Sequence, residues 1–425
     1  MTASGARPEA GFARETAILA AGLVASQAVL LAVMPLWSRL YGPEQFAALG
    51  VWTAVSSTVA TLVLLRYDSA IVVAAHDAEA RALRRLGLAL AIGGGLLLLV
   101  VALLLPARAL DGLGLAPLDG WLAGAIVAGV LSALMASSIA WLNRGRAYGR
   151  ISAARLTLAI VVAAMGSLLG WWWGGSTAGL LVAQLCGATA ALLALPWKLS
   201  PHSGARAAAR RHRDAARFLW PAALLDVFTQ QLPVLLVAAW FGAHATGQFS
   251  LAWRVLALPA LMLAAAAGSV FYQRFARALD GPSGDVLAAR AMILRTWRVF
   301  LVMGAAPALI IALAGEPLFA MVFGEGWREA GLLASAMVPL LLAMATSSPT
   351  SGAIVVLGQQ RWAPLFGIAM LIYRPAAFWV GARAGSLPLA IALWTMCEVV
   401  AIALYNRMLL RALARRQNLP CAASS

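Results

Sequence analysis

The sequence predicts an all-α, polytopic membrane protein with about twelve transmembrane helices. Hydrophobic residues make up 62% of the 425 residues and charged residues only 11%, whereas roughly 25% of the residues in soluble domains are charged. The mean hydropathy is +0.85. The apolar residues form continuous runs of about 18 residues or more, long enough to cross a bilayer as helices. The strands of a membrane β-barrel would be shorter and would alternate polar with apolar residues.

Twelve apolar runs follow one another along the chain. Their predicted limits are 16–38, 45–75, 86–106, 121–142, 152–171, 177–196, 218–241, 246–272, 297–314, 330–357, 362–381 and 386–406. The second and tenth runs exceed the roughly 20 residues of one straight crossing, so we expect them to tilt or to extend beyond the bilayer. Pro339 and Pro349 favour a kink in the tenth run.

The basic residues indicate which side of the membrane each loop faces. The chain has 32 lysines and arginines and a formal net charge of +16, and most of these residues fall in alternate loops. The opposite set of loops holds only Arg39, Arg108, Arg328 and Arg383. Because arginine-rich loops stay cytoplasmic, both termini are predicted to be cytoplasmic. Topology and anionic membrane lipids explain the charge, so we expect no nucleic acid partner.

A basic loop divides the runs into two groups of six. We predict an N-terminal six-helix lobe over residues 1–200, a basic cytoplasmic linker over 201–217, and a C-terminal six-helix lobe with a short cytoplasmic tail over 218–425. The two halves share a pattern of aromatic-Gly, then Gln-Phe, then Trp, which occurs as Tyr41-Gly42, Gln45-Phe46 and Trp52, and again as Phe241-Gly242, Gln248-Phe249 and Trp253. A parallel repeat is typical of transporters that bind substrate between their halves. Chance is the alternative, since Trp and Tyr favour membrane interfaces anyway.

Arginines inside the apolar runs are candidates for binding an anionic ligand. Arg66, Arg254 and Arg374 lie in such runs, where a charge is costly unless it meets a partner or a watery cavity. Arg66 and Asp68 are two positions apart, and on a continuous helix such residues point about 200° apart, so we expect that they cannot satisfy each other and that each needs a partner from another helix or from a substrate. Structural ion pairing between helices is the alternative for all of these arginines. For Arg66, snorkelling to the headgroups is a further one.

Acidic and amide side chains in the same runs are candidates for coupling transport to an ion. Asp68, Asp226 and Glu398 are predicted to bind a proton or Na⁺, with pairing to the embedded arginines as the alternative. Gln230 and Gln231 follow Asp226 in its run and are expected to line a polar cavity.

Sequence signatures of enzymes are absent. The chain has no P-loop, no GxSxG and no HExxH. Its three cysteines and four histidines do not show metal-ligand spacing. We therefore expect no enzyme activity, no catalytic residue, no cofactor and no metal site, and any transport would be driven by a gradient or run downhill.

Three segments resemble the O-antigen-type polysaccharide-biosynthesis flippases of the multidrug/oligosaccharidyl-lipid/polysaccharide export superfamily. They are PLWSRLYGPEQF at 35–46, LRYDSAI at 65–71, and the stretch from Gln231 to Pro259. The resemblance implies two six-helix bundles around a central cavity that opens alternately to each side. It also implies a cargo of oligosaccharide on undecaprenyl diphosphate, flipped across the bacterial inner membrane to make lipopolysaccharide O-antigen or exopolysaccharide. Cavities of this family are cationic, which matches Arg66, Arg254 and Arg374.

The resemblance also implies partners and leaves alternatives open. Besides the lipid-linked oligosaccharide and membrane lipids, a polysaccharide polymerase and glycosyltransferases are candidate partners. The lack of two further C-terminal crossings counts against the peptidoglycan-precursor flippases. One alternative is an ion-coupled multidrug or metabolite antiporter of the same superfamily, which would require a mainly acidic or aromatic cavity. The other is a non-transporting membrane scaffold, in which the loop charges matter and the embedded charges do not.

Overall fold

The computed structural model describes residues 7–104, 112–118, 120–196, 204–280 and 285–417. Every regular element in these ranges is helical, and ten of the helical stretches are long and apolar enough to cross a membrane. The predicted all-α, polytopic class is therefore confirmed. Arg108 and the first residues of the predicted linker, 201–203, lie outside the described residues.

The helices are numbered here in chain order. They are α1 (Arg7–Leu40), α2 (Pro43–Leu64), α3 (Tyr67–Val73), α4 (Asp77–Leu104), α5 (Leu122–Arg144), α6 (Tyr148–Trp172), α7 (Thr177–Leu193), α8 (Ala205–Arg211), α9 (Trp220–Ala278), α10 (Val286–Phe323), α11 (Arg328–Thr350), α12 (Ala353–Val356), α13 (Ala363–Arg383) and α14 (Leu387–Gln417). Short 3₁₀ turns at Ala116–Leu118, Glu325–Trp327 and Gln360–Trp362 and a π-helical segment at Ala215–Leu219 lie between them.

Two features reconcile the ten long stretches with the twelve predicted crossings. Helix α7 is apolar but only 17 residues long. Helix α9 contains Gly242 at φ 82° and ψ 179°, a non-helical conformation that separates its first part from its second. These two parts correspond to the seventh and eighth predicted runs.

Neither of the two overlong runs is a single helix. In the second run, α2 ends at Leu64 and α3 begins at Tyr67, because Leu65 and Arg66 both adopt left-handed backbone angles, with φ of 49° and 61°. In the tenth run, α11 ends at Thr350, one residue after Pro349, and α12 follows at Ala353–Val356. The excess length is therefore accommodated by breaks in the helices.

The chain forms two compact units, Met1–Ser250 and Leu251–Ser425. This division falls within α9. The division into lobes at the basic segment 201–217 stays a prediction.

In the first unit, α1 packs along α6 at positions where glycine allows close approach. A side chain at Gly166 would run into the ring of Trp37, and one at Gly170 would run into the ring of Tyr41. The Tyr41 hydroxyl donates a 2.6 Å hydrogen bond to the Gly166 carbonyl oxygen. Burial raises the pKa of Tyr41 to about 12, so the hydroxyl keeps its proton at neutral pH and remains a donor.

Replacing Tyr41 with phenylalanine should lower the free energy of unfolding by about 1 kcal/mol, because one buried hydrogen bond is lost while the ring remains. Thermal unfolding of the purified protein in detergent measures the change. The matched control is Tyr148→Phe, at a half-buried tyrosine near the start of α6, which should leave stability unchanged. Equal melting temperatures for Tyr41→Phe and the wild type would contradict the role given to this bond.

The start of α2 and the second part of α9 also approach closely within the first unit. A side chain at Gly247 would collide with the backbone of Pro43, and one at Gly50 would meet Ser250 and Val234. These contacts involve the two segments in which the sequence shows the repeated Gln-Phe pattern. Small residues are what allow helix backbones to come this close.

The segment before α9 packs against other helices of the first unit. Helix α8 packs on α4, and Glu79 accepts a 3.0 Å hydrogen bond from Arg211 and lies 3.3 Å from His212. Ala208 of α8 is buried in one apolar cluster with Tyr67, Ile71 and Leu83, against which Ala216 also packs. Part of the predicted linker is thus ordered against α3 and α4.

In the second unit, α10 packs against α11, and α14 packs against both α11 and α13. At the arginine-rich end of this unit, Leu409 and Leu413 of α14 are fully buried in a cluster with Phe275, Ile293 and Ala353. This cluster fixes the last turns of α14, which extend beyond the length that a bilayer core requires.

Candidate functional site

Arg66 lies at the break between α2 and α3, which changes its relation to Asp68. The prediction assumed one continuous helix on which the two side chains point apart, and this assumption was wrong because the helix does not continue through Arg66. Its guanidinium Nη1 is 3.9 Å from Asp68 Oδ2, a loose ion pair that is longer than a hydrogen bond. Arg66 Nε and Asp68 Oδ1 have no hydrogen-bond partner among the described residues, so each group retains unused capacity.

The backbone at this break is held in an uncommon conformation. Left-handed angles at residues other than glycine cost about 1 kcal/mol or more each, and they cluster at functional sites. Leu65 and Arg66 are two such residues in succession. The Arg66 carbonyl oxygen accepts hydrogen bonds from the backbone N–H and the hydroxyl of Ser69, in the first turn of α3. Arg66 lies just after the C-terminal end of α2, and 40% of its side chain is exposed.

Arg374 and Glu398 form a buried ion pair in the second unit. Arg374 Nε donates a 2.6 Å hydrogen bond to Glu398 Oε1, and the two residues are only 8% and 5% exposed. Trp394, one helical turn before Glu398 on α14, donates its indole N–H to the same oxygen at 2.8 Å. Its ring packs against Phe378 and Trp253. The two residues were predicted in separate roles, and the structure brings them together on neighbouring helices.

Asp226 and Gln230 form an exposed polar pair on the first part of α9. The Gln230 amide donates a 3.0 Å hydrogen bond to Asp226 Oδ2, and both side chains are exposed. Gln231 is half-buried. Exposed polar side chains within a crossing are expected to face water, since lipid tails offer them no partner.

Arg254 lies about 18 Å along the helix from Gly242, counted at 1.5 Å per residue, and is half-buried. The second part of α9 therefore begins before residue 246, the predicted start of the eighth run. The predicted substrate-binding role of Arg254 stays a prediction, as do the predicted roles of the other candidate residues.

Two arginines that the sequence places in loops, Arg84 and Arg144, lie in α4 and at the end of α5 and make structural contacts that the sequence did not indicate. Arg144 donates hydrogen bonds to the carbonyl oxygen of Ala74 at 2.6 Å and to Asp77 at 3.0 Å, which joins the end of α3 to α5. Arg84 is buried, donates to the Pro196 carbonyl oxygen at 2.6 Å and lies over the Trp141 ring. Of the contacts described above, the sequence could have predicted the one between Trp394 and Glu398, because residues four apart on one helix lie side by side.

The fold defined by these helices is that of the MOP superfamily transporters. The structure matches an inward-facing multidrug resistance MATE family transporter of that superfamily with a TM-score of 0.63 and 18% identity, covering 92% of this chain and 96% of that one. It matches the inward closed conformation of the lipid II flippase MurJ with a TM-score of 0.70 and 13% identity, over 94% and 90% of the two chains. A MOP superfamily transporter from Pyrococcus furiosus, described as having a binding pocket of reverse polarity, matches with a TM-score of 0.56 and 14% identity, over 94% and 96%.

A family model identifies the chain more closely. The model described as polysaccharide biosynthesis protein matches residues 36–332, and the chain belongs to this family. No curated protein matches the chain. The predicted resemblance to this family and superfamily is therefore confirmed.

Proposed function

We propose that this protein flips an undecaprenyl-diphosphate-linked oligosaccharide from the cytoplasmic to the outer leaflet of the bacterial inner membrane, by alternating access. The product would serve synthesis of O-antigen, exopolysaccharide or another surface polysaccharide. Both termini would lie in the cytoplasm. The family match and the transporter fold support this class of function.

The proposal rests mainly on the exposure and the weak ion pairing of Arg66. Arg66 lies at the end of α2 that our proposal puts on the cytoplasmic side, and its side chain is 40% exposed. Among the described residues its ion pair is the loose 3.9 Å contact with Asp68. A guanidinium can present two parallel N–H groups to phosphate oxygens. We assign Arg66 to first contact with the diphosphate at the inner leaflet, and Arg254 and Arg374 to holding it deeper in the membrane.

Asp226 and Glu398 have different surroundings, and we assign their roles separately. The Asp226 carboxylate is exposed and accepts a hydrogen bond from the neutral amide of Gln230, so we assign it to binding the coupling ion. Glu398 neutralises Arg374. In our proposal a carrier phosphate replaces Glu398 at Arg374 during transport, and the released carboxylate binds the coupling ion. Gln230 and Gln231 would line the water-filled path beside Asp226.

Replacing Arg66 with alanine should reduce polysaccharide export roughly tenfold when a deletion strain is complemented, because charge-assisted hydrogen bonds to phosphate are lost. Arg66→Lys should give an intermediate value, since lysine keeps the charge but not the planar fork. Flipping of a fluorescent undecaprenyl-diphosphate oligosaccharide in proteoliposomes measures the same step directly. Protein abundance in the membrane fraction is quantified alongside.

The control is Arg383→Ala, at an exposed arginine that our proposed topology puts at the opposite side of the membrane, and it should leave export unchanged. Normal export by Arg66→Ala at normal abundance would contradict the proposal. Drug extrusion without an export defect in the deletion strain would favour the antiporter. Normal flipping by every variant at an embedded charge, with loss of export only on reversal of loop charges, would favour the scaffold.

A further inference from the structure

A cavity of about 570 Å³ lies at the arginine-rich end of the second unit. It is lined by residues from the end of α12, the start of α13 and the last turns of α14, namely Leu357, Gln359, Trp362, Phe366, Leu404, Arg407, Met408, Arg411, Ala412, Arg415 and Arg416. Its volume falls within the range of small-molecule sites. The residues assigned to transport are not part of this lining.

The position of the arginines follows from the packing of α14. Arg407, Arg411 and Arg415 recur every four residues, so they lie on one face of the helix. Leu409 and Leu413 lie on another face and are fully buried. The buried leucines therefore hold the three arginines toward the cavity side, so that no separate loop is needed to place them.

The length of α14 sets the depth of this arginine stripe. The helix has 31 residues, so it is about 46 Å long, whereas the hydrocarbon core is about 30 Å thick. If the crossing begins at Leu387, Arg407 falls at the inner boundary of the core. Arg415 is then about 12 Å further out, at the level of the lipid headgroups. Leu404, one turn before Arg407, is exposed on the hydrocarbon side.

The lining is chemically suited to an amphiphile. Among the described residues it contains four arginines and no carboxylate. Arg416 donates a 3.0 Å hydrogen bond to the Leu279 carbonyl oxygen, which fixes that side chain. Phe366 and Leu404 supply apolar surface next to Arg407. Trp362 is partly exposed at the rim, as is usual for tryptophan at a membrane interface.

We propose that this cavity binds an anionic phospholipid of the cytoplasmic leaflet. The phosphate would lie among Arg407, Arg411 and Arg415, and an acyl chain would run along Leu404 and Phe366. A lipid headgroup fits better than a soluble anion, because the arginine stripe starts at the boundary of the hydrocarbon and continues into apolar surface. The inference goes beyond the proposed transport function and does not depend on it.

The experiment measures lipid binding to the purified full-length protein. Native mass spectrometry titrates phosphatidylglycerol, phosphatidylcholine, undecaprenyl diphosphate and inorganic pyrophosphate onto delipidated wild type and onto Arg411→Gln/Arg415→Gln. We expect phosphatidylglycerol binding to weaken about 30-fold in the double variant, at about fivefold for each arginine near the membrane surface. The matched control is Arg290→Gln/Arg295→Gln, which removes two exposed arginines of α10 and should change binding less than twofold.

Each probe has a defined consequence. Weaker binding of phosphatidylcholine than of phosphatidylglycerol, together with the loss in the double variant, supports the proposal. Equal binding of the two phospholipids, or undiminished binding by the double variant, would overturn it. Tighter binding of undecaprenyl diphosphate or of pyrophosphate than of phosphatidylglycerol, abolished by the same substitutions, would also overturn it in favour of a carrier or soluble-phosphate site. Equal melting temperatures of the delipidated variants establish that both are folded.

Discussion

Glu398→Ala is expected to destabilise the protein by about 3–5 kcal/mol. The carboxylate of Glu398 is the acceptor for Arg374 Nε and for the Trp394 indole N–H. Its removal leaves a buried guanidinium without its counter-charge, which is among the most costly single changes in a folded protein. Thermal or denaturant-induced unfolding in detergent, followed by tryptophan fluorescence, measures the loss.

Two further variants separate charge from packing. Arg374→Met/Glu398→Leu removes both charges and should recover most of the stability, since a buried ion pair is often replaceable by apolar residues of similar volume. Glu325→Ala removes the acid of an exposed pair with Arg328 and should change stability by less than about 1 kcal/mol. A Glu398→Ala variant as stable as the wild type would show that Arg374 does not depend on this carboxylate.

Gly247→Ala should destabilise the protein by about 2 kcal/mol, although alanine is normally the better helix former. The added methyl group would collide with the backbone of Pro43. Backbone cannot move aside as a flexible side chain can, so the helices must separate. Thermal unfolding in detergent measures the effect, and larger residues at this position should be worse still.

Gly93→Ala is the matched control, because Gly93 lies inside α4 with open space around its Cα. There the same substitution should raise stability slightly, by about 0.5–1 kcal/mol. If Gly247→Ala and Gly93→Ala changed the melting temperature equally, the close approach of α9 to Pro43 would not limit stability.

The composition and the twelve apolar runs were sufficient to predict the class of fold. Hydrophobic length is a strong local signal, because a backbone in lipid must satisfy its own hydrogen bonds and forms helices. The boundaries of α5, α6 and α13 lie within a few residues of the predicted runs 121–142, 152–171 and 362–381. The family resemblance was likewise readable from short segments, which overlap the residues 36–332 that the family model matches.

The break after α2 could not be predicted. Glycine and proline are the residues that usually indicate such a break in a sequence. Neither Leu65 nor Arg66 is one of them, yet both adopt left-handed backbone angles. Packing between distant parts of the chain must impose this conformation, and a single sequence does not display that packing. The sequence left pairing between embedded acids and arginines open as an alternative, but it could not show that Arg374 pairs with Glu398, because that depends on which crossings are neighbours.

The contacts made by the segment before α9 have a mechanical consequence. Ala216 and Ala208 pack in the same cluster as Tyr67 and Ile71 of α3, and Arg66 is the residue that precedes α3. Asp226 lies two helical turns into α9, just beyond that segment. A rigid displacement of the beginning of α9 would therefore also displace α3. The positions of Arg66 and Asp226 are thus linked through this cluster.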